Sequence, residues 1–358
     1  MTSSNPLGFN SIKICNYYSF FISKHISDNV YLLKFELLTK INILKFATKI
    51  KNKPFLILLF ICLNSLIVQA QDLEPRFLSS VPLKTNFGGL VYGYSDGDIL
   101  LNAQQIEGLN AKLNSVAVFY GRSLKLFNKP AKFDIVLPYA FGELNALVSQ
   151  VDTTAYRNGL VDPTFRVSII LIGDKALNLK EFAKREIKKF KMGASFKVRA
   201  PLGKYDDTKL INLGANRWGF QLKAAASYQP AKKIILELHI DSWFFTENTS
   251  FNNGNTLGQK PLFTSQLHMA YLFNPKFWIS GSIGQIAFGE TSINGIDQDN
   301  NQKNSRYGFT ASHKFNKLGS FKFSLTNALY TGAGSNFTTA LFGYSFAWFD
   351  KNKTSNVD

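Results

Sequence analysis

The chain predicts an all-β fold, an antiparallel transmembrane β-barrel of about twelve strands, on three observations. Between Asn86 and Phe349, segments of about ten residues alternate apolar and polar side chains; the links between them are alternately long and short; and the apolar positions are strongly aromatic. The last segment shows the pattern best. Ala340, Phe342, Tyr344, Phe346 and Trp348 fall on one face, and Gly343, Ser345 and Ala347 on the other. A soluble sandwich buries its greasy face in a core, whereas a membrane barrel turns it to lipid and keeps the polar face for the lumen.

In chain order the strands are expected near 86–94, 113–123, 132–142, 161–172, 190–201, 216–229, 233–246, 262–273, 276–288, 305–315, 320–331 and 338–349. Facing follows from charge, because a charged side chain on the lipid side costs about 2–4 kcal/mol at mid-bilayer and therefore belongs inside. The third strand turns Asp134 inward, the fourth Arg166 and Ser168, and the fifth Lys191, Ser195, Lys197 and Arg199 against Met192, Phe196 and Val198. In the sixth, Gln221 and Lys223 face in, while Trp218, Phe220, Leu222, Ala224 and Tyr228 face out. The seventh sets Glu237, His239 and Asp241 inward against Leu236, Leu238 and Ile240. Gln266 and His268 follow from the eighth, Arg306 and Lys314 from the tenth, and Lys322 from the eleventh. A basic arc on strands four to six thus faces acids at Asp134, Glu237 and Asp241. Such groups either select solutes by charge in a constricted pore or neutralise one another and plug a narrow barrel.

The links fix the topology. Tight connections at Phe127-Asn128-Lys129-Pro130, Gln229-Pro230-Ala231-Lys232, Asn274-Pro275 and Asn316-Lys317-Leu318-Gly319 all join an even strand to the next odd one. Long polar links at 96–112, 143–160, 203–216, 247–261 and 289–304 all follow odd strands, as extracellular loops do in barrels whose termini are periplasmic. One even-to-odd link is long. Within it, Leu177, Leu179, Phe182, Ala183 and Ile187 have near-helical spacing beside Lys180, Lys184, Arg185 and Lys188, which predicts a short amphipathic periplasmic helix near 177–189.

Aromatic residues supply an independent check, with 33 Phe, 14 Tyr and 4 Trp. Trp218, Trp243, Phe244, Phe245, Phe263 and Phe288 sit at the expected extracellular strand ends, and Tyr228, Phe273, Phe277, Trp278, Phe315, Phe321, Phe346 and Trp348 at the periplasmic ends. Two interfacial belts are expected. Phe349 ends the last strand with an aromatic, the feature through which barrel-assembly machinery engages such proteins, although a polar tail to Asp358 follows it.

Upstream of the barrel the pattern is that of export. Lys49, Lys51 and Lys53 form a basic region, 55–68 is largely apolar, and Val68-Gln69-Ala70 offers a small-residue cleavage site before Gln71. The apolar stretch is shorter than the roughly 20 residues a spanning helix requires. Cys62 follows Ile61 where a lipid-attachment signal carries a small residue, so acylation is not expected. The organisation is therefore read as 1–48, an N-terminal extension or a start assigned too early, with no Met between Met1 and Met192; 49–70, signal peptide; 71–85, periplasmic segment; 86–349, barrel; and 350–358, polar tail.

Composition excludes several function classes. Both cysteines, Cys15 and Cys62, precede the cleavage site, which leaves no thiol for a disulfide framework. Eight lysines against Asp28 and Glu36 before Ala70 account for +6 of the net +17, leaving +11 on the remainder. Its lysines are dispersed over turns, loops and polar faces without a basic helix or a nucleic-acid-binding signature, so no nucleic-acid partner is expected. Metal and cofactor sites are not expected either, because no cysteine remains and the histidines lack ligand spacing. Asp96, Asp98, Asp206 and Asp207 read as solvated loop acids, although such residues could hold calcium.

Barrel hydrolases also have about twelve strands, so catalysis is tested on residues. A nucleophilic Ser and a His within hydrogen-bond reach are needed at the outer, lipid-facing rim. His239 and His268 face the lumen in this register, and His313, the one on the lipid face, lies at the periplasmic end. His239 and Asp241 resemble a base and its orienting acid, yet alternate residues stand about 7 Å apart and no inward Ser completes the set. No catalytic residue is assigned.

Several motifs carry a family resemblance. Asp72-Leu73-Glu74-Pro75-Arg76, Tyr92-Gly93-Tyr94-Ser95-Asp96-Gly97-Asp98, Val136-Leu137-Pro138-Tyr139 and Gly159-Leu160-Val161-Asp162-Pro163-Thr164-Phe165-Arg166 resemble the outer-membrane proteins associated with the meta pathway of phenol degradation, over essentially the whole exported chain. The resemblance implies a β-barrel transporter of Gram-negative bacteria with a poorly defined substrate. Physically, Asp162-Pro163 marks a strand start, and Pro138 inside a strand calls for a bulge or kink. The combined expectation is a porin-like passive channel in the cell outer membrane for small hydrophobic or anionic solutes. Outer-membrane lipid, lipopolysaccharide and the assembly machinery are its other expected partners. The rival is a plugged barrel whose loops bind a surface partner.

Overall fold

The computed structural model describes residues 73–100 and 106–350. The extension, the signal peptide and the last eight residues of the tail lie outside the described residues. Seventeen strands form: β1 Thr85–Leu100, β2 Ile106–Leu126, β3 Lys129–Val148, β4 Val151–Leu160, β5 Thr164–Ile172, β6 Phe190–Arg199, β7 Gly219–Ala231, β8 Ile234–Phe245, β9 Asn248–Phe251, β10 Asn255–Gln259, β11 Leu262–Asn274, β12 Phe277–Phe288, β13 Thr291–Ile293, β14 Ile296–Asp297, β15 Gln302–Lys314, β16 Gly319–Tyr330 and β17 Gly334–Phe349. The single described helix, α1, is Leu179–Ala183.

Strands β1, β2, β3, β5, β6, β7, β8, β11, β12, β15, β16 and β17 pair antiparallel in a closed ring, sealed where β1 meets β17 from Thr85↔Phe349 to Leu100↔Gly334 and where β2 meets β3. This is the expected barrel of twelve wall strands. Every wall strand pairs on both sides, so no backbone edge is offered to lipid, which is the condition for crossing a bilayer with strands.

Alternation sorts the side chains as the charge argument requires. Val118, Leu137, Leu222, Ile240, Met269, Phe309, Phe323, Phe342 and Phe346 are exposed on the outer face. The most completely buried large side chains are all polar: His239, His268, Asn248 and Ser280. A soluble protein shows the reverse, so the apolar solvent here is the membrane.

Two of the long connections are strand for most of their length, where loops were expected. β2 and β3 run 21 and 20 residues, about twice the 9–11 a tilted spanning strand needs, so their upper halves rise past the bilayer. There β3 leaves β5 and pairs instead with β4, through a two-residue hairpin at Ser149 and Gln150, both at positive φ. β4 and β5 thus form one path along β3, broken at Asp162-Pro163. At the base, Phe127 and Asn128 make the same kind of turn between β2 and β3. The loops above the barrel add a small sheet in the order β14-β13-β10-β9.

The helix is shorter than the expected 177–189. Asn178 caps it, its side-chain oxygen accepting from the Glu181 N–H while the Glu181 carboxylate accepts from the Asn178 N–H, each at 3.0 Å. None of its residues is buried, so beyond Ala183 no packed face exists to carry the amphipathic pattern further.

Candidate functional site

The lumen is not empty. Residues 73–84, which precede β1, run inside the ring as an irregular strap. Its lower part is fixed at the periplasmic end: the Leu83 N–H donates to the Leu177 carbonyl at 2.9 Å, the Thr85 N–H to Ser123 Oγ at 2.9 Å, and Lys191 Nζ to Ser80 Oγ at 2.6 Å. Ser80 Oγ also donates to Asp174, whose carboxylate lies 3.3 Å from Lys191 Nζ. Burial pushes the Asp174 pKa up, but the bonds from Ser80, the Lys175 N–H and Lys191 outweigh it and hold the carboxyl below its ordinary value.

Higher in the lumen, Phe77 and Leu78 are buried against Ile170 and Ala225. These four form an apolar island within a polar interior. The Phe77 N–H donates to Glu237 Oε2 at 3.0 Å, and its carbonyl accepts from Lys132 Nζ at 3.2 Å. Its ring lies edge-on to His239, with centroids 5.4 Å apart, and within 6 Å of Lys132, Arg166 and Lys223. Arg76 stacks over Trp278 with its guanidinium carbon 5.1 Å from the ring centroid.

Glu74 occupies the middle of the basic arc. Both of its carboxylate oxygens accept from Arg166 Nη1 at 2.9 Å, and Lys223 Nζ reaches Oε2 at 3.2 Å. Arg166 is shared, because its Nε donates to Asp134 at 3.0 Å from the neighbouring strand. Lys223 has only 2% of its side chain exposed, and its ion pair is with Glu74 rather than with the wall acids. A charge so enclosed demands a partner, and here the strap supplies it.

The remaining expected residues take distinct places. Glu237 stands 3.3 Å from His239 Nε2, and Asp241 accepts from Gln221 at 2.7 Å. Lys197 stands opposite Arg166 across the β5–β6 pair, its ammonium 5.8 Å from the Trp243 ring. Arg199 is higher, 5.8 Å from Trp243, 5.5 Å from Phe245 and 3.9 Å from Asp162. Lys191 belongs to the periplasmic anchor, while Arg306 Nη2 donates to the Ser335 carbonyl at 3.3 Å toward the loop end. Lys322 shares its face of β16 with the buried Ser324.

Three aromatics expected in the lipid belts turn inward: Trp243, Phe245 and Trp278. The first two share the parity of Glu237, His239 and Asp241 on β8, and Trp278 that of Ser280 and Ser282 on β12. Their rings serve the cations of the lumen. Position near a strand end suggested the belt, but alternation decides the face.

Sequence reasoning also missed Ser282. Its Oγ lies 2.8 Å from His268 Nδ1 across the β11–β12 pair, and His268 Nε2 lies 3.2 Å from Gln266 Oε1. The third member is a neutral amide, which can orient the imidazole but brings no charge to stabilise an imidazolium. Cross-strand register is the signal that would have found the pair, and the tight link at Asn274-Pro275 fixes that register.

Above the wall, Asp162 clamps the loop between β6 and β7: its carboxylate accepts from the Gly203 N–H and the Ala215 N–H, each at 2.9 Å. A Cβ on Gly203 would come within 2.7 Å of both that carboxylate and Gly214, so only glycine admits the contact. This loop delivers Arg217, which is 9% exposed, onto the Phe245 ring at 4.8 Å.

A family model described as "Putative MetA-pathway of phenol degradation" matches residues 107–352. Among solved structures, an outer membrane channel from Pseudomonas putida F1 matches with a TM-score of 0.65 at 20% identity, over 77% of this chain and 100% of that one. The transport unit of the autotransporter AIDA-I from Escherichia coli gives 0.47 at 11% identity, over 78% and 93%. The monoaromatic hydrocarbon channel CymD gives 0.41 at 6% identity, over 75% and 90%. No curated protein matches the chain.

Proposed function

The chain belongs to the family described as a MetA pathway of phenol degradation, and on that premise we propose that it is a passive outer-membrane channel for small solutes, held closed by its own strap. The outer-membrane location is supported by the closed ring and the aromatic outer face, which suit lipid and lipopolysaccharide as surroundings. The observation that carries the channel reading is the Glu74 clamp. A wall built to be solid would pair its own charges, whereas here Lys223, on the wall, is neutralised by a segment that precedes the first strand and is tied to the ring by side chains.

A strap of this kind can leave without breaking a wall ladder. Its withdrawal opens the centre of the lumen and exposes Arg166, Lys197 and Lys223, a basic stretch that favours anions. Recording single-channel currents from the exported protein in planar bilayers tests the reading. Rare openings that become frequent when Glu74→Gln and Phe77→Ala loosen the strap are the expected result. Silence in both proteins overturns it.

The ordered sheet β9, β10, β13 and β14 supports a second reading, in which loops bind a surface partner above a permanently plugged lumen. Persistent silence in the recordings is the outcome that favours it.

A further inference from the structure

The strap displays, in one short segment, a carboxylate and a phenyl ring docked together on the lumen wall. Glu74 takes Arg166 and Lys223, and three residues later Phe77 lies against the same two cations, 5.5 Å and 5.3 Å from its ring. The pair has the chemistry of an aryl carboxylate. A second basic pair stands nearer the outer mouth without any such occupant. Arg199 and Arg217 share the Phe245 ring, and Arg199 also faces Trp243.

These two guanidinia are under-served. Arg217 is nine-tenths buried, yet its Nε and Nη1 meet no hydrogen-bond partner, and only Nη2 is engaged, by Gln259 Oε1 at 2.5 Å. Arg199 Nε likewise makes no hydrogen bond, its one ion pair being the long one to Asp162. The nearest acid, Asp162, lies 3.9 Å from Arg199 and has both oxygens committed to the loop amides of Gly203 and Ala215. Two like charges on one aromatic ring, Arg217 buried and Arg199 partly exposed toward the lumen, with donors unused, form a receptor for an anion. Guanidinium forks match a carboxylate, and the two rings give its apolar part a surface. The cleft that holds Glu74 is lined by Lys197 and Trp243, and Trp243 in turn lies 5.8 Å from Arg199, so that ring stands between the two pairs.

We propose that Arg199 and Arg217, with Trp243 and Phe245, form an outer binding station for small aryl carboxylates, and that such a solute then competes with Glu74 and Phe77 for the inner station at Arg166 and Lys223. The competition step rests on the channel reading; binding at the outer station does not.

Benzoate, acetate and neutral phenol, titrated against the exported protein in detergent and followed by calorimetry and by tryptophan fluorescence, test the proposal. Benzoate is expected to bind saturably, acetate at least tenfold more weakly, and phenol at least tenfold more weakly than benzoate. Arg217→Gln, checked for the heat-modifiable band of a folded barrel, should weaken benzoate at least tenfold, while Arg217→Lys recovers part of the loss. Equal binding of phenol and benzoate, or no saturable benzoate binding to the unaltered protein, overturns the outer station. Benzoate binding without any current in bilayers keeps the station and removes the channel reading; current without benzoate binding does the opposite.

Discussion

Arg166 and Glu74 are 92 residues apart in the chain and meet at 2.9 Å inside the ring, where the guanidinium holds an acid of the strap and, through Nε, an acid of the wall at the same time. The strap is thereby bonded to the point where β3 and β5 are already tied. Whatever moves Glu74 leaves Arg166 with Asp134 but takes from Lys223 its ion-pair partner, so the charge that is uncovered belongs to the lumen face of β7.

Replacing Glu74 by Gln should therefore release the strap without unfolding the barrel. Loss of one charged hydrogen-bonding partner is worth about 1–3 kcal/mol; Asp134 stays on Arg166, while Lys223 gives up its ion pair and regains water as the strap leaves the lumen. Channel open probability is expected to rise about tenfold or more, with the heat-modifiable band unchanged. An unaltered open probability would show that Glu74 does not hold the strap.

Acid should loosen the lower anchor. The folded-state pKa of Asp174 is depressed, with burial opposing and the bonds from Ser80, the Lys175 N–H and Lys191 prevailing, so its stabilisation is complete above the unfolded value near 3.9 and drains away as pH falls below that toward the folded value. Amide exchange in residues 79–83 is expected to accelerate below about pH 4 in the unaltered protein. Asp174→Asn should exchange fast at neutral pH and lose the pH step; a step that survives in this variant assigns it to another group.

Ion preference should follow the lumen cations. Exchanging Lys197, Arg199 and Lys223 for Gln is expected to shift selectivity toward cations with the barrel intact. Leu238→Lys is the control, since Leu238 alternates with the inward Glu237 and His239 and so faces lipid, where a charge costs about 2–4 kcal/mol. If Leu238→Lys folds normally and Glu237→Leu does not tolerate the change, the inside and outside of β8 have been exchanged.

Closure of the ring predicts behaviour on gels. Unheated protein in detergent should migrate apart from boiled protein and show strand-rich circular dichroism, because no unpaired wall edge is available for detergent to open. A single band at both temperatures, from a water-soluble species, would remove the membrane assignment.

The wall was legible because strand periodicity and the cost of charge in lipid point the same way: Glu237, His239 and Asp241 could be set inside from sequence, and they are buried there. Trp243 obeyed the same parity and was misplaced by a weaker rule about aromatic strand ends. The strap was not legible, since residues 73–84 have no period and their contacts join positions up to 192 residues apart. Likewise Arg217, expected within the strand 216–229, lies in the loop ahead of β7, where the Asp162 clamp on Ala215 and the bond to Gln259 hold it against Phe245. The small loop sheet escaped for a different reason, its strands being two to five residues long and rich in Asn, Thr and Gly.

Residues 73–84 stand immediately ahead of β1 and run back from the periplasmic anchor at Leu83 up to Glu74 in the lumen, so the side on which the barrel is tagged matters to anyone preparing it. A purification tag added upstream of the strap brings bulk toward Arg166, Lys223 and Gln266, the residues that hold Glu74, and is expected to disturb strap docking. A tag placed after Asp350, which pairs with Arg122 at the periplasmic rim, leaves the lumen as it is.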